Sequence, residues 1–232
     1  MLEFARNIPM HVAGEFRWLQ QLAIPRRRPL IGVPLHQYGH STLESSDQTM
    51  PAVDTLIELI RDHRSMDALR MLEASPALAT EHSDRPGELH GASPLHWAAH
   101  HNAPEVCQCL IEHGANVNDS ASAWWLTPLS WGADAGSAEA VEVLLKYGAD
   151  VNQDAIVGTT ALHAVAMGGS TQGKGDPNAY KRTAEILIRN GADINRRTNK
   201  HRTPLDEAID NENDAVAKVL RQHGALASNT SN

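Results

Sequence analysis

Only two of the 232 residues are cysteine, Cys107 and Cys109. Two positions apart on a helix, they would not face each other, so no disulfide is expected between them. Such sparing use of cysteine fits a reduced, cytoplasmic protein. No segment approaches the ~18 consecutive apolar residues that would mark a membrane span. Arg6, Glu15 and Arg17 break up the first thirty residues, so no secretory signal is expected there. A surplus of positive charge is also missing. Lys plus Arg number 20 against 28 acids, a net charge of −8, which disfavours sequence-independent nucleic-acid binding. There is no G-x-S-x-G and no Cys/His pair in a catalytic setting, so catalysis has no candidate residues. What remains is an ordinary composition, 41% hydrophobic and 21% charged, which excludes collagen, coiled coil and wholesale disorder.

The charge is unevenly spread. Residues 1–50 carry a net of +1 and the remainder a net of −9, so the chain changes character near Met50. After that point a repeat dominates. SPLHWAAHHNAPEVCQCLIEHGANVN begins at Ser93, and TPLSWGADAGSAEAVEVLLKYGADVN at Thr127. TALHAVAMGG begins at Thr160 and resumes as TAEILIRNGADIN at Thr183; TPLDEAIDNENDAVAKVLRQHGA begins at Thr203. The marker leucines Leu95, Leu129, Leu162 and Leu205 are spaced 34, 33 and 43 apart, so the third unit holds a ten-residue insertion, Ser170 to Ala179.

Each unit can be read physically. Thr or Ser before Pro suits a helix entry, because the hydroxyl caps and proline in the first turn forfeits no bond. A short helix rich in small residues follows, such as Leu129 to Ala135. A turn at Gly136-Ser137 reverses the chain, and a second helix, Ala138 to Tyr147, ends before Gly148, where glycine takes a left-handed cap at least cost. One such pair cannot bury its apolar face alone, so neighbours must stack.

The pieces S-P-L-H (93–96), T-P-L (127–129 and 203–205), T-A-L-H (160–163) and the G-A-D/N-V/I-N closures (114–118, 148–152, 191–195) resemble the ankyrin repeat family. A degenerate first unit, Thr55 to Ala79, lacks the Thr-Pro entry, and the last unit carries polar Glu207, Asp210 and Arg221, as end caps do. The resemblance covers residues 51–226 and implies an all-α solenoid of stacked helix pairs with short hairpin fingers. It also implies a non-catalytic module that binds a partner protein through its concave face, and that His96 and His163 are structural hydrogen-bonding residues.

Outside the repeats, Glu15 to Ala23 forms a passable amphipathic helix followed by Pro25-Arg26-Arg27-Arg28-Pro29. Residues 1–50 are read as a disordered tail, as a docking helix with a basic anchor, or as untranslated, with Met50 the true start. Residues 227–232 are read as a disordered tail. Gly168 to Gly175 matches the phosphate-loop spacing G-x4-G-K, but Gly175 stands where Ser or Thr should hold magnesium. A helix precedes it, and Asp176-Pro177 reads as resisting one after it. Nucleotide binding through this insertion is therefore the alternative reading, together with a regulatory inhibitor of one enzyme. No cofactor is expected. Thirteen histidines invite a metal hypothesis, and His96 and His100 stand four apart with His101 and His63 on the same row. Trp97 fills the place of the base in H-E-x-x-H, however, and no metal is expected. Cys107 and Cys109 are both read as packing inward.

Candidate binding residues lie on the fingers and the inner helices. Adjacent Trp124 and Trp125 in the second finger cannot both point inward, and an exposed tryptophan is a favoured anchor at interfaces. Trp97 and Trp131 hold the same register in successive units and read as core. Arg196, Arg197, Lys200 and Arg202 put four positive charges in the fourth finger, where His201 replaces the glycine found at Gly158. With His100, His101 and Asp134 on the inner row, beside Asp62 and Asp210, the groove reads as an acidic floor with one basic finger. That pattern suits a protein partner of mixed charge, with no membrane or nucleic acid involved, and a monomer is expected.

Overall fold

A computed structural model describes residues 50–83, 91–120, 126–155, 157–168 and 176–228. Among these, all regular structure is helical, and ten α-helices alternate as inner and outer members of five pairs. The first pair is α1 (Ala52–Arg61) and α2 (Ser65–Ala74), followed by a 3-10 turn, Pro76–Thr80. Then come α3 (Pro94–His100) with α4 (Pro104–Glu112), and α5 (Pro128–Asp134) with α6 (Ala138–Lys146). The last pairs are α7 (Ala161–Met167) with α8 (Pro177–Arg189), and α9 (Pro204–Asp210) with α10 (Asp214–Gln222). Inner helices pack on inner helices and outer on outer along the stack, so each unit touches only its neighbours.

Four of the five inner helices, α3, α5, α7 and α9, are seven residues long, and their entries are fixed locally. Thr127 Oγ1 accepts from the Ser130 N–H, Thr203 Oγ1 accepts from the Asp206 N–H, and proline sits in the first turn of each. Ala99, Ala133 and Ala166 recur at one position of successive inner helices, each fully buried. Small side chains there let the helices approach. Trp97 and Trp131 fill the wider space beside them, 2% and 0% exposed, with rings edge to face at 5.3 Å. Gly148 closes α6 with φ +88°, the left-handed cap the sequence predicts.

Two expectations change. Pro177 does not resist a helix. It opens α8, with the Asp176 carboxylate accepting from the Asn178 N–H, so the end of the insertion is helical and α8 runs to 13 residues. Cys109 does not share the burial of Cys107. Cys107 is fully buried, whereas Cys109 is half-buried and lies 3.5 Å from His113 Nδ1, since residues two apart on a helix point to different sides. Burial pushes the Cys107 thiol up to about 12, which leaves it protonated and inert.

Candidate partner-binding surface

Histidine at the third position of two inner helices, α3 and α7, joins its unit to the next. Ser93 donates to His96 Nδ1 through its N–H at 3.2 Å, so the other ring nitrogen, Nε2, carries the proton and donates to the Leu126 carbonyl at 2.9 Å. His163 repeats this, accepting from the Thr160 N–H at 3.2 Å and reaching the Arg202 carbonyl at 3.3 Å. Both rings are fully buried, and burial holds both down at about 4, so they are neutral at pH 7. These are the structural histidines the resemblance implies. Because Leu126 and Arg202 are finger residues, each ring also fixes the root of the finger beyond it.

The middle unit lacks this link. Ser130 is too short to reach the next finger and bonds back to the Thr127 carbonyl at 2.8 Å. The acceptor is nevertheless in place. Thr159 O takes the Ala155 N–H at 2.9 Å, just as Arg202 O takes the Thr198 N–H at 2.9 Å with a lone pair to spare for His163. The buried Thr159 hydroxyl has no hydrogen-bond partner among the described residues. Ser130→His should restore the capping pair and the link, raising the unfolding free energy by about 1 kcal/mol. The urea midpoint, compared at constant slope, checks this; a lower midpoint would mean that the imidazole does not fit.

The fourth finger carries the strongest charge. Its turn matches the third finger's: His201 N–H donates to Thr198 O at 2.8 Å with φ +60°, as Gly158 N–H donates to Ala155 O at 2.9 Å with φ +75°. Histidine thus keeps the glycine geometry at a small backbone cost. Of the four cations, two are already engaged. Arg196 pairs with Asp154 of the third finger, while Arg202 bonds Glu207 at 2.6 Å and Asp210 at 2.7 Å. Arg197 and Lys200 are exposed, and neither has a carboxylate within ion-pair distance among the described residues.

The inner row differs from the acidic floor read in the sequence. Asp134 is only 8% exposed, and Asp210 is neutralised by Arg202, so of the three acids Asp62 alone is both exposed and without an ion pair among the described residues. His100 and His101 are half-buried and touch at 5.0 Å, and His101 meets the exposed His63 edge-on at 5.4 Å. Above them the Arg61 guanidinium lies 4.9 Å from the centre of the Trp97 ring. Burial is the main cause that holds His100 and His101 down at about 4. Next come His101 for His100 and His63 for His101, with Arg61 acting on both. Sequence reasoning places His63 beside His101 but gives no sign of Arg61, since the cation–π contact spans two units.

Trp124 and Trp125 lie outside the described residues. The roots of their finger are held: Leu126 is 3% exposed, and Asp119 is 8% exposed and bonded to His82 Nε2 at 2.8 Å. Gly169 to Gly175 of the phosphate-loop match are likewise outside. Gly168 has a structural reason of its own, because a Cβ there would stand 2.3 Å from the Asp134 carbonyl oxygen. The element before the loop is helix α7 rather than a strand, and the Asp176 carboxylate sits on the first turn of α8 where a phosphate would have to go. No group of three or more His, Cys, Asp or Glu among the described residues could hold a metal ion, and no helix there is long and apolar enough to cross a membrane.

Stacked helix pairs joined by fingers and linked unit to unit define a repeat solenoid. A family model described as ankyrin repeats in three copies matches residues 67–155, and one described as ankyrin repeat matches 157–199; the chain belongs to the ankyrin repeat family. The first and last helix pairs extend the same arrangement beyond the matched residues. No curated protein matches the chain. Ankyrin repeats generally mediate protein–protein interaction, and proteins built from them are generally not catalytic.

Proposed function

We propose that this chain is a monomeric, cytoplasmic binding module that holds one partner protein against the concave surface of its fingers and inner helices. In this reading residues 51–226 form the binding domain, with residues 1–50 and 227–232 as tails. Trp124 and Trp125 serve as apolar anchors. Arg196, Arg197, Lys200 and Arg202 steer the approach of the partner, and His100, His101 and Asp134 line the floor. The observation that carries it is the pair Arg197 and Lys200, two exposed cations without an ion-pair partner among the described residues, on a finger whose other cations are spent on internal pairs. The chain as a whole is acidic, so an uncompensated basic finger needs a reason, and a partner supplies one.

Affinity capture from the source lysate with the full chain tests this. Arg197→Glu with Lys200→Glu should weaken capture of the partner by about tenfold and flatten its salt dependence. Trp124→Ala with Trp125→Ala should abolish capture, with the circular dichroism of both variants unchanged. Equal capture by wild type and both variants would overturn the concave-face assignment.

A further inference from the structure

The groove offers two separate stations for negative charge. At the fourth finger stand Arg197 and Lys200, exposed and without an ion pair among the described residues, while Asp154 is taken by Arg196 and Glu207 and Asp210 by Arg202. At the other end, between the first and second units, the His63, His101 and His100 rings touch in sequence, with Arg61 alongside over Trp97. The charged and titratable groups facing these rings can be named helix by helix. From α1 come Arg61, Asp62 and Glu58, which pairs with Arg61 at 3.6 Å; from α3 comes His96, fixed in its cap; from α5 comes Asp134, almost fully buried. Among these only Asp62 is both acidic and exposed. An imidazole that takes up a proton beside this guanidinium meets repulsion, which a bound anion would offset.

We infer that the partner presents an acidic segment to this groove, held at one end by Arg197 and Lys200 and at the other by His63 and His101. The inference rests on the concave-face reading above and adds the chemistry of the partner. It replaces the mixed-charge partner that the bare sequence favours, because most of the expected acidic floor is buried or paired. It also gives the binding a pH dependence. Burial, then His63 and Arg61, hold the His101 ring neutral in the free protein, so its proton arrives with the ligand carboxylate. Binding then takes up protons, and affinity rises as pH falls.

Selection of random short peptides displayed on phage against the immobilised full chain, at about pH 6, tests the idea without knowledge of the partner. Enriched peptides should be rich in Asp and Glu, and a synthetic copy should bind about fivefold tighter at about pH 6 than at about pH 7.5. His101→Gln, which keeps a polar side chain but takes up no proton, should remove much of that pH dependence, so that the peptide binds about equally at the two pH values. Arg197→Ala with Lys200→Ala should weaken binding at both pH values, with circular dichroism confirming an intact fold in each case. Enriched peptides that are basic or apolar, yet lost in the groove variants, would overturn the inference and leave the concave face standing. Acidic peptides whose affinity ignores both pH and the His101 substitution would also overturn it. Peptides retained by every groove variant but lost on Lys181→Ala with Arg189→Ala, on the outer helix α8, would overturn the concave-face reading itself.

Discussion

Acidification is expected to unfold this protein well above the pH at which its carboxylates take up protons. His96, His100, His101 and His163 all sit at about 4 in the folded chain against an ordinary 6.5. Their folded pKa values are depressed, so below 6.5 the unfolded chain binds protons that the folded chain refuses. The stability these rings contribute is therefore intact above about pH 6.5 and is lost progressively as pH falls towards 4. For the two fully buried rings, His96 and His163, the loss amounts to about 3 kcal/mol each over that window. His100 and His101 add in the same direction, weakened by their contact with solvent. A sum of this size rivals the roughly 5–15 kcal/mol total of an ordinary domain. Carboxylates act lower. For Asp206, burial raises the carboxyl, but hydrogen bonds from Thr203 and Ser228 outweigh it and leave it below the usual range, so its contribution persists until a lower pH. Urea unfolding at a series of pH values checks the prediction. The midpoint should drop steadily between about pH 6.5 and about pH 4.5, and a flat midpoint across that range would show that the buried rings titrate normally.

The same histidines show how far the sequence reaches. A histidine three residues after a capping Thr or Ser can be placed from the pattern alone, because both its bonds are set by the repeat. Helix entries, helix-ending glycines and the equal register of Trp97 and Trp131 are likewise local or periodic, and all are legible. What stays hidden is held by groups far apart in the chain. Arg196 meets Asp154 across 42 positions and Arg182 meets Glu139 across 43, and no spacing rule links either pair. The four positive charges of the fourth finger are legible in the sequence, but that two of them are spent on internal pairs is not. The acidic floor fails for the same reason, since Asp134 ends its helix as His100 does but lies at a seam covered from both sides. Gly168 marks a third limit. In the sequence it opens a glycine-rich run that resembles a phosphate loop, whereas in the fold it is small because the neighbouring unit's backbone leaves no room for a Cβ. A glycine required by close approach and one required by a ligand are indistinguishable until the neighbour is known.

Trp131→Ala should be the most damaging single substitution in the stack. The ring is fully buried and meets three others, Trp97 at 5.3 Å, His96 at 5.2 Å and His100 at 6.2 Å, all from the unit before it. Removing it takes away a large apolar area and leaves a cavity along the seam between the second and third units, at a cost of about 3–5 kcal/mol. Its position in the middle makes the loss worse. In a linear stack stability is the sum of units and the interfaces between neighbours, so an end unit can fray alone while a central seam divides the stack in two. The flanking pieces are then two and three units long, at or below the roughly three units a stable stack needs. Unfolding should accordingly lose its single cooperative step. Helix content followed at 222 nm and the fluorescence of the remaining tryptophans should no longer share one urea midpoint. Trp131→Phe, which retains an aromatic ring against Trp97, should keep the two probes coincident and cost less than half as much. If Trp131→Ala instead unfolds in one step with the two midpoints superimposed, the seam is not the weak plane of the stack. The neighbouring ties Ser137 to the His100 carbonyl and Asn102 to the Ala140 N–H would then carry the coupling in its place.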